Sequence, residues 1–185
     1  MSSLAYILMG LLKDEPLTGY ELNKRFQYAT QFFWTTDQSQ IYRALSKMHE
    51  RGWVEIEYVV QEENPNKKIY HLTPSGYEAL RVWLATPLKP EASRSPYLAQ
   101  IFYGGDLTAE ELIGVLEARL KWQDPEREEL EKRWAEVKDY PDTEITKAQF
   151  LRRLTLEYGV LWYRLQRDFL EDAIARIRAK WEDET

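Results

Sequence analysis

The feature with the widest reach is a change of period at Gly52. Before it, Ile41, Ala44, Leu45 and Met48 recur at i, i+3, i+4 and i+7, the spacing of a helix with one face on a core. After it, residues 53–60 alternate and are rich in β-branched and aromatic side chains, which is the period of a strand. The glycine supplies the left-handed residue on which such a helix stops. On the far side of the same helix lie Gln40, Arg43, Ser46 and Lys47, flanked by Ser39 and Tyr42. That side offers hydrogen-bond donors and carries no acid before Glu50. Such a face suits base edges in a DNA major groove, and it equally suits solvent on an ordinary amphipathic helix. The flanking chain decides between the two.

Two helices precede it. Leu4, Ile7, Leu8, Leu11 and Leu12 share one face, with Ser2 or Ser3 as cap and an end near Lys13 imposed by Pro16. Thr18, with Glu21 three residues on, forms a capping box for a second helix. Its apolar side reads as Tyr20, Leu22, Phe26 and Ala29. Residues 31–37 are a short aromatic link ending in Asp37, a cap for the third helix. Beyond the first strand, residues 62–66 are turn chemistry and residues 67–72 a second strand. Thr73 caps and Pro74 opens a fourth helix, carried to about Thr86 by Ala79, Leu80, Trp83 and Leu84. Three helices followed by a hairpin form a winged helix-turn-helix. The expected fold class is mainly α with a small β-hairpin wing: a winged helix over residues 1–88, a linker over 89–96, and a long-helix dimerisation domain over 97–185.

In that second domain, residues 97–103 read as a short helix ended by Gly104 and Gly105. Thr108 and Glu111 box the start of a long helix. Leu112, Val115, Leu116, Leu120, Gln123, Leu130, Trp134 and Val137 keep one face apolar to about Asp139, with Pro125 inside the pattern and placed to bend it. After a hairpin at Tyr140, Pro141 and Asp142, a last helix runs from about Thr143 to Trp181. Its stripe is Phe150 or Leu151, Leu154, Tyr158, Leu161, Leu165, Phe169, Ala173, Ile177 and Trp181, with Gly159 allowing close helix approach. At 1.5 Å per residue it is about 57 Å long. One winged helix cannot cover that much apolar surface, so a second copy is expected to do so.

Charge separates the two halves. Of 25 Lys+Arg and 31 Asp+Glu, ten and ten fall in residues 1–90, so the whole net charge of -6 sits in residues 91–185. The front half can approach phosphate; the back half repels it. The chain has no cysteine and therefore no disulfide or thiol chemistry. Its first residues lack the basic region of a signal peptide, and no run of apolar residues reaches 18, so a cytoplasmic protein without membrane contact is expected. His49 and His71 lack metal-ligand spacing; no phosphate loop, Ser-His-Asp order or HExxH motif occurs. The acids of residues 126–131, with Arg127, Lys132 and Arg133, read as a salt-bridged solvated helix. No metal, no cofactor and no enzymatic activity are expected.

The order of motifs resembles the PadR family of bacterial transcriptional regulators. The resemblance rests on Leu8-Met9-Gly10-Leu11-Leu12, Pro16-Leu17-Thr18-Gly19-Tyr20-Glu21-Leu22, Phe33-Trp34, Ile41-Tyr42-Arg43-Ala44-Leu45, Gly52-Trp53-Val54 and residues 68–76. It departs at Arg43, where the family often has proline, and at Gln38 or Ser39, where it often has glycine. The resemblance implies a dimeric repressor whose reading helix enters the major groove and whose wing touches the backbone or minor groove. Gln40, Tyr42 and Arg43 match that helix by position, and Lys67 and Lys68 match the basic end of the wing. Two such helices about 34 Å apart would read a palindrome in double-stranded DNA. Trp34, Tyr97, Phe102, Tyr103 and Trp162, with Tyr163, either line a pocket for a small aromatic effector or pack in core and interface. The rival readings are a winged helix that serves only to bind proteins, and an aromatic-ligand scaffold or enzyme.

Overall fold

The structure, a computed structural model, describes residues 2–30, 32–60, 66–90 and 94–181. It divides into two compact units, Met1–Glu91 and Ala92–Thr185. Most of the hairpin turn read at residues 62–66 and the middle of the linker read at 89–96 lie outside the described residues, as does Gln31.

The N-terminal unit contains α1 (Ser3–Leu12), β1 (Leu17–Thr18), α2 (Gly19–Thr30), α3 (Gln38–Glu50), β2 (Val54–Val59), β3 (Lys67–Leu72) and α4 (Pro74–Leu84). Leu8, Met9, Leu22, Phe26, Ile41, Leu45 and Met48 are fully buried, so α1, α2 and α3 meet in one core that Val54, Tyr70 and Leu80 complete. Each such aliphatic or aromatic side chain contributes about 1.5–3 kcal/mol by leaving water. The sheet has three antiparallel strands in the order β1-β3-β2. The two-residue β1, with Leu17 opposite Tyr70 and Thr18 opposite Ile69, extends the hairpin read from the sequence. Two residues are too few to show a period.

Thr18 both pairs in the sheet and caps α2. Its Oγ1 accepts the Glu21 N–H at 3.2 Å, and its own N–H donates to Glu21 Oε2 at 2.8 Å. That backbone N–H, then the Thr18 hydroxyl, holds the Glu21 carboxyl below the ordinary carboxylate range. The inner face of α2 is Gly19, Leu22, Phe26 and Thr30. Tyr20, expected on that face, is 68% exposed, because Gly19 occupies the inward position one residue earlier. Ser2 stands at the α1 cap position but makes no side-chain cap bond. Gly52 adopts φ 69° and ends α3 as the sequence requires. Thr73 caps α4 through the Gly76 N–H at 3.1 Å and anchors it to Gly52, whose carbonyl accepts the Thr73 hydroxyl at 2.7 Å.

The C-terminal unit contains α5 (Pro96–Tyr103), a 3-10 turn at Gly104–Asp106, α6 (Ala109–Val137) and α7 (Lys147–Trp181). Thr108 and Glu111 form the expected capping box. α6 and α7 run antiparallel: Glu117 meets Arg178, Asp124 meets Arg167 and Glu131 meets Arg164. These pairs are largely exposed and fix register more than they add stability. α7 begins at Lys147, four residues after the expected Thr143. A 3-10 turn occupies Asp142–Glu144, and Thr146 is the true cap, accepting the Gln149 N–H at 3.2 Å and donating its own to Gln149 Oε1 at 2.8 Å. Arg153 braces the turn on the Tyr140 carbonyl and the Asp142 carboxylate.

The stripe read on α7 lies mostly on its exposed face. The buried face of α7 is Leu156, Gly159, Val160, Gln166, Leu170 and Ile174. Leu154, Tyr158, Leu161, Leu165 and Phe169 remain 43–68% exposed. α7 thus carries two apolar stripes of similar spacing on nearly opposite faces. Periodicity reports that both exist, but not which one α6 covers.

Candidate nucleic-acid interface

α3 owes its position to the core and its start to Asp37, whose carboxylate accepts the Gln40 N–H at 2.8 Å. With Ile41, Ala44, Leu45 and Met48 buried, the helix geometry leaves Ser39, Gln40, Tyr42, Arg43, Ser46 and Lys47 exposed together. The structure adds a detail that the donor count misses. Several donors are already engaged with one another. Gln40 Nε2 donates to Asp37 Oδ2 at 3.1 Å, and Thr36 Oγ1 donates to Gln40 Oε1 at 3.0 Å. Arg43 Nη2 donates to Ser39 Oγ at 3.0 Å, Ser39 Oγ to Asp37 Oδ1 at 2.6 Å, and Ser46 Oγ to Glu50 Oε1 at 3.3 Å. The Ser39 hydroxyl, then the Gln40 N–H, lowers the Asp37 carboxyl from its ordinary value.

Tyr42 connects this helix to the rest of the surface. A Cβ on Gly19 would lie 2.5 Å from Tyr42 Cε1 and 2.8 Å from its hydroxyl oxygen. The ring therefore rests on the bare backbone at the start of α2, while the residue stays 41% exposed. β1 leads directly into Gly19 and pairs with β3, so that seat is tied to the wing strand. Burial, with the hydroxyls of Tyr42 and Tyr58 close by, raises Tyr70 above the ordinary tyrosine value. Lys67 and Lys68 stand exposed at the start of β3. Lys68 pairs with Tyr58 across the ladder and places its Nζ 5.5 Å from that ring.

His49 Nδ1 lies 3.1 Å from the Val54 carbonyl, an N–H donor that ties the end of α3 to β2. His71 Nε2 lies 2.8 Å from Glu57 Oε2 across the strands. No group of three potential metal ligands occurs among the described residues.

Within the C-terminal unit the aromatic candidates do not all share one cavity. Trp34 packs against the N-terminal core. Phe102 and Tyr103 are each 79% exposed and lie edge to face with each other. Tyr97 and Trp162 line a cavity of about 560 Å³ within the C-terminal unit, together with Arg94, Arg119, Gln166 and Phe169. Tyr163 is half buried, and that burial, then Glu126, raises its phenol. Arg119 and Gln166 escaped the sequence reading, although Gln123 on an otherwise apolar face of α6 was a visible sign of polar chemistry there.

Comparison with known proteins supports the fold. Residues 8–82 match the model of the transcriptional regulator PadR-like family, and residues 93–178 match that of the virulence activator alpha C-terminal region. The probable transcriptional regulator Rv1176c of Mycobacterium tuberculosis is 38% identical over 88 residues, which is 48% of this chain and 47% of that protein. The chain thus spans about half the length of that relative. The negative transcriptional regulator PadR of Bacillus subtilis is 29% identical over 141 residues, covering 75% of this chain and 71% of that one. The crystal structure of the same B. subtilis protein in complex with operator DNA has a TM-score of 0.82 at 24% identity, covering 95% and 99% of the two chains. Its complex with p-coumaric acid gives a TM-score of 0.76 at 22% identity, covering 95% and 99%.

Proposed function

From the match of residues 8–82 to the PadR-like family of transcriptional regulators and the likeness to PadR-type relatives, we propose that the chain is a dimeric, sequence-specific repressor of that family that binds palindromic operator DNA and is relieved by a small aromatic effector. One observation carries the reading: α3 buries one side completely and presents Ser39, Gln40, Tyr42, Arg43, Ser46 and Lys47 on the other. In the family's docking mode this side enters the major groove, and Lys67 and Lys68 of the wing meet phosphate. B. subtilis PadR, a negative regulator solved with operator DNA and with p-coumaric acid, supports both the DNA and the effector parts. The exposed stripe of α7 is the surface for the second copy. No helix among the described residues is long and apolar enough to cross a membrane. The protein acts in the cytoplasm on chromosomal DNA, without enzymatic chemistry of its own.

Binding of duplex operator should weaken linearly in log K against log salt, with about one unit of slope for each phosphate the protein neutralises. Replacing Arg43, Lys67 and Lys68 by alanine together should reduce that slope by about one unit for every phosphate no longer neutralised, and weaken binding at least a hundredfold at moderate salt. Fluorescence anisotropy across a salt series measures both. Unchanged binding would reject this surface and favour the protein-interaction rival.

Gly19→Ala tests the seat of Tyr42. The added methyl displaces the ring, and operator affinity should fall about tenfold, or ~1.4 kcal/mol. In a Tyr42→Ala background the same replacement should cost nothing further, the signature of coupling between touching residues. Additive effects would show that Gly19 acts on folding alone.

A further inference from the structure

We infer that Tyr58 is a positioning residue for DNA binding: its ring holds the Lys68 ammonium on the acid-free face of the wing, and that face meets the phosphate backbone. This deepens the DNA part of the proposed function and rests on it. Tyr58 and Lys68 stand directly opposite each other on β2 and β3. So do Ile56 and Tyr70, and Val54 and Leu72, so these six residues share one face of the hairpin. The inner end of that face is core: Val54 and Tyr70 are buried, and Ile56 and Leu72 pack against the same cluster. Its outer end is Tyr58, 65% exposed, with Lys68 Nζ 5.5 Å from the ring centroid.

The opposite face of the hairpin differs in charge. It carries Glu55 and Glu57, with His71 Nε2 2.8 Å from the Glu57 carboxylate. Lys67 belongs to that face, opposite Val59. Thr18, opposite Ile69, lies on the same side and donates its N–H to Glu21 at 2.8 Å. The Thr18 N–H and hydroxyl lower the Glu21 carboxyl most, and the Lys67 charge adds to the effect. Lys67 thus shares its charge with acids and is left the smaller part in binding phosphate. None of the six residues on the Lys68 face is acidic. A polyanion approaches from the side where it meets no carboxylate. The same face leads back to the reading helix. Burial first, then Tyr42 and Tyr58, raises the Tyr70 phenol, and Tyr42 rests on Gly19. One surface therefore runs from Tyr42 across Tyr70 to Tyr58 and Lys68. An ammonium over a ring keeps N–H donors on its far side. A lysine already resting on a ring has less rotamer freedom to lose when it meets a phosphate.

The test uses the full-length protein and two labelled duplexes, one selected from random sequence by the wild-type protein and one of scrambled sequence. Anisotropy across a salt series is the readout. Lys68→Ala should reduce the slope of log K against log salt by about one unit, and Lys67→Ala less than half as much. Tyr58→Leu should weaken both duplexes about threefold to fivefold, because a phosphate contact is blind to sequence. Tyr58→Phe should keep wild-type affinity, since a phenyl face also holds a cation. In a Lys68→Ala background Tyr58→Leu should cost nothing further. A folding defect, or a direct contact of the ring with DNA, would instead cost the same in both backgrounds. Tyr58→Leu without effect, an equal loss in the Lys68→Ala background, or a larger slope change from Lys67→Ala than from Lys68→Ala would overturn the assignment. If Arg43→Ala still weakens the selected duplex in that case, the wing inference falls and the repressor reading stands. A wild-type protein that selects no duplex rejects both.

Discussion

Leu161→Glu combined with Leu165→Glu is expected to turn the protein into a monomer that no longer holds its operator. The two leucines are 57% and 68% exposed on α7, on the stripe that α6 leaves uncovered. The opposite face of α7 is already committed to α6, so the variant should keep the helical hairpin and its far-ultraviolet circular dichroism. In a two-fold interface each substitution counts twice, and each buried leucine contributes about 1.5–3 kcal/mol. Four such deletions, with like charges facing their own copies, weaken the dimer by four orders of magnitude or more. A single reading helix then engages one half-site, and specific binding disappears. Analytical ultracentrifugation and anisotropy at micromolar protein report both effects. A dimer that survives would place the subunit interface elsewhere.

Gly76→Ala should produce the largest loss of stability from a single methyl group. The added Cβ would sit 2.2 Å from the Trp53 carbonyl oxygen and 2.8 Å from Leu72 Cδ1. The carbonyl cannot yield cheaply. It accepts the Thr73 N–H at 3.1 Å, and the neighbouring Gly52 carbonyl accepts the Ser75 hydroxyl at 2.8 Å. Overpacking of this kind costs about 2–3 kcal/mol. For a unit of this size that corresponds to a fall in melting temperature of roughly 10 °C or more. Gly10→Ala is the contrast. Nothing lies within 4 Å of its Cβ, and alanine should stabilise α1 by about 0.5–1 kcal/mol. Calorimetry on the two variants should move in opposite directions. A neutral Gly76→Ala would mean that the β2–α4 junction is softer than its hydrogen bonds imply.

Three glycines show what a sequence reveals and what it hides. Gly52 was legible because a helical stripe ends there and an alternating one begins. Gly76 sits within a good helix start, and Gly19 follows a good cap; their roles come from backbone and ring atoms far away in sequence. The same holds for the functional surface. The donors of α3 could be read from one helix, because burial of Ile41, Ala44, Leu45 and Met48 dictates what faces outward. Their mutual bonds to Asp37 and Ser39 depend on rotamers and were not visible. In the C-terminal unit, the lengths of the helices and their apolar stripes were legible. The partner of each stripe was not, since α7 carries two stripes of similar period on nearly opposite faces. Arg119 and Gln166 stand 47 residues apart and meet only across the α6–α7 seam.

The two chains that branch from Asp37, through Gln40 to Thr36 and through Ser39 to Arg43, bear on selectivity. To meet a base edge with its whole amide, Gln40 must first leave Asp37 and Thr36, and to offer its full fork Arg43 must leave Ser39. A matching base edge replaces what is given up, whereas a mismatched one leaves a deficit. The helix therefore enters a groove with part of its donor set held within the protein, and only the right sequence repays releasing it. Chromosomal DNA of arbitrary sequence would be held by phosphate contacts alone and released quickly, which keeps the search for the operator fast.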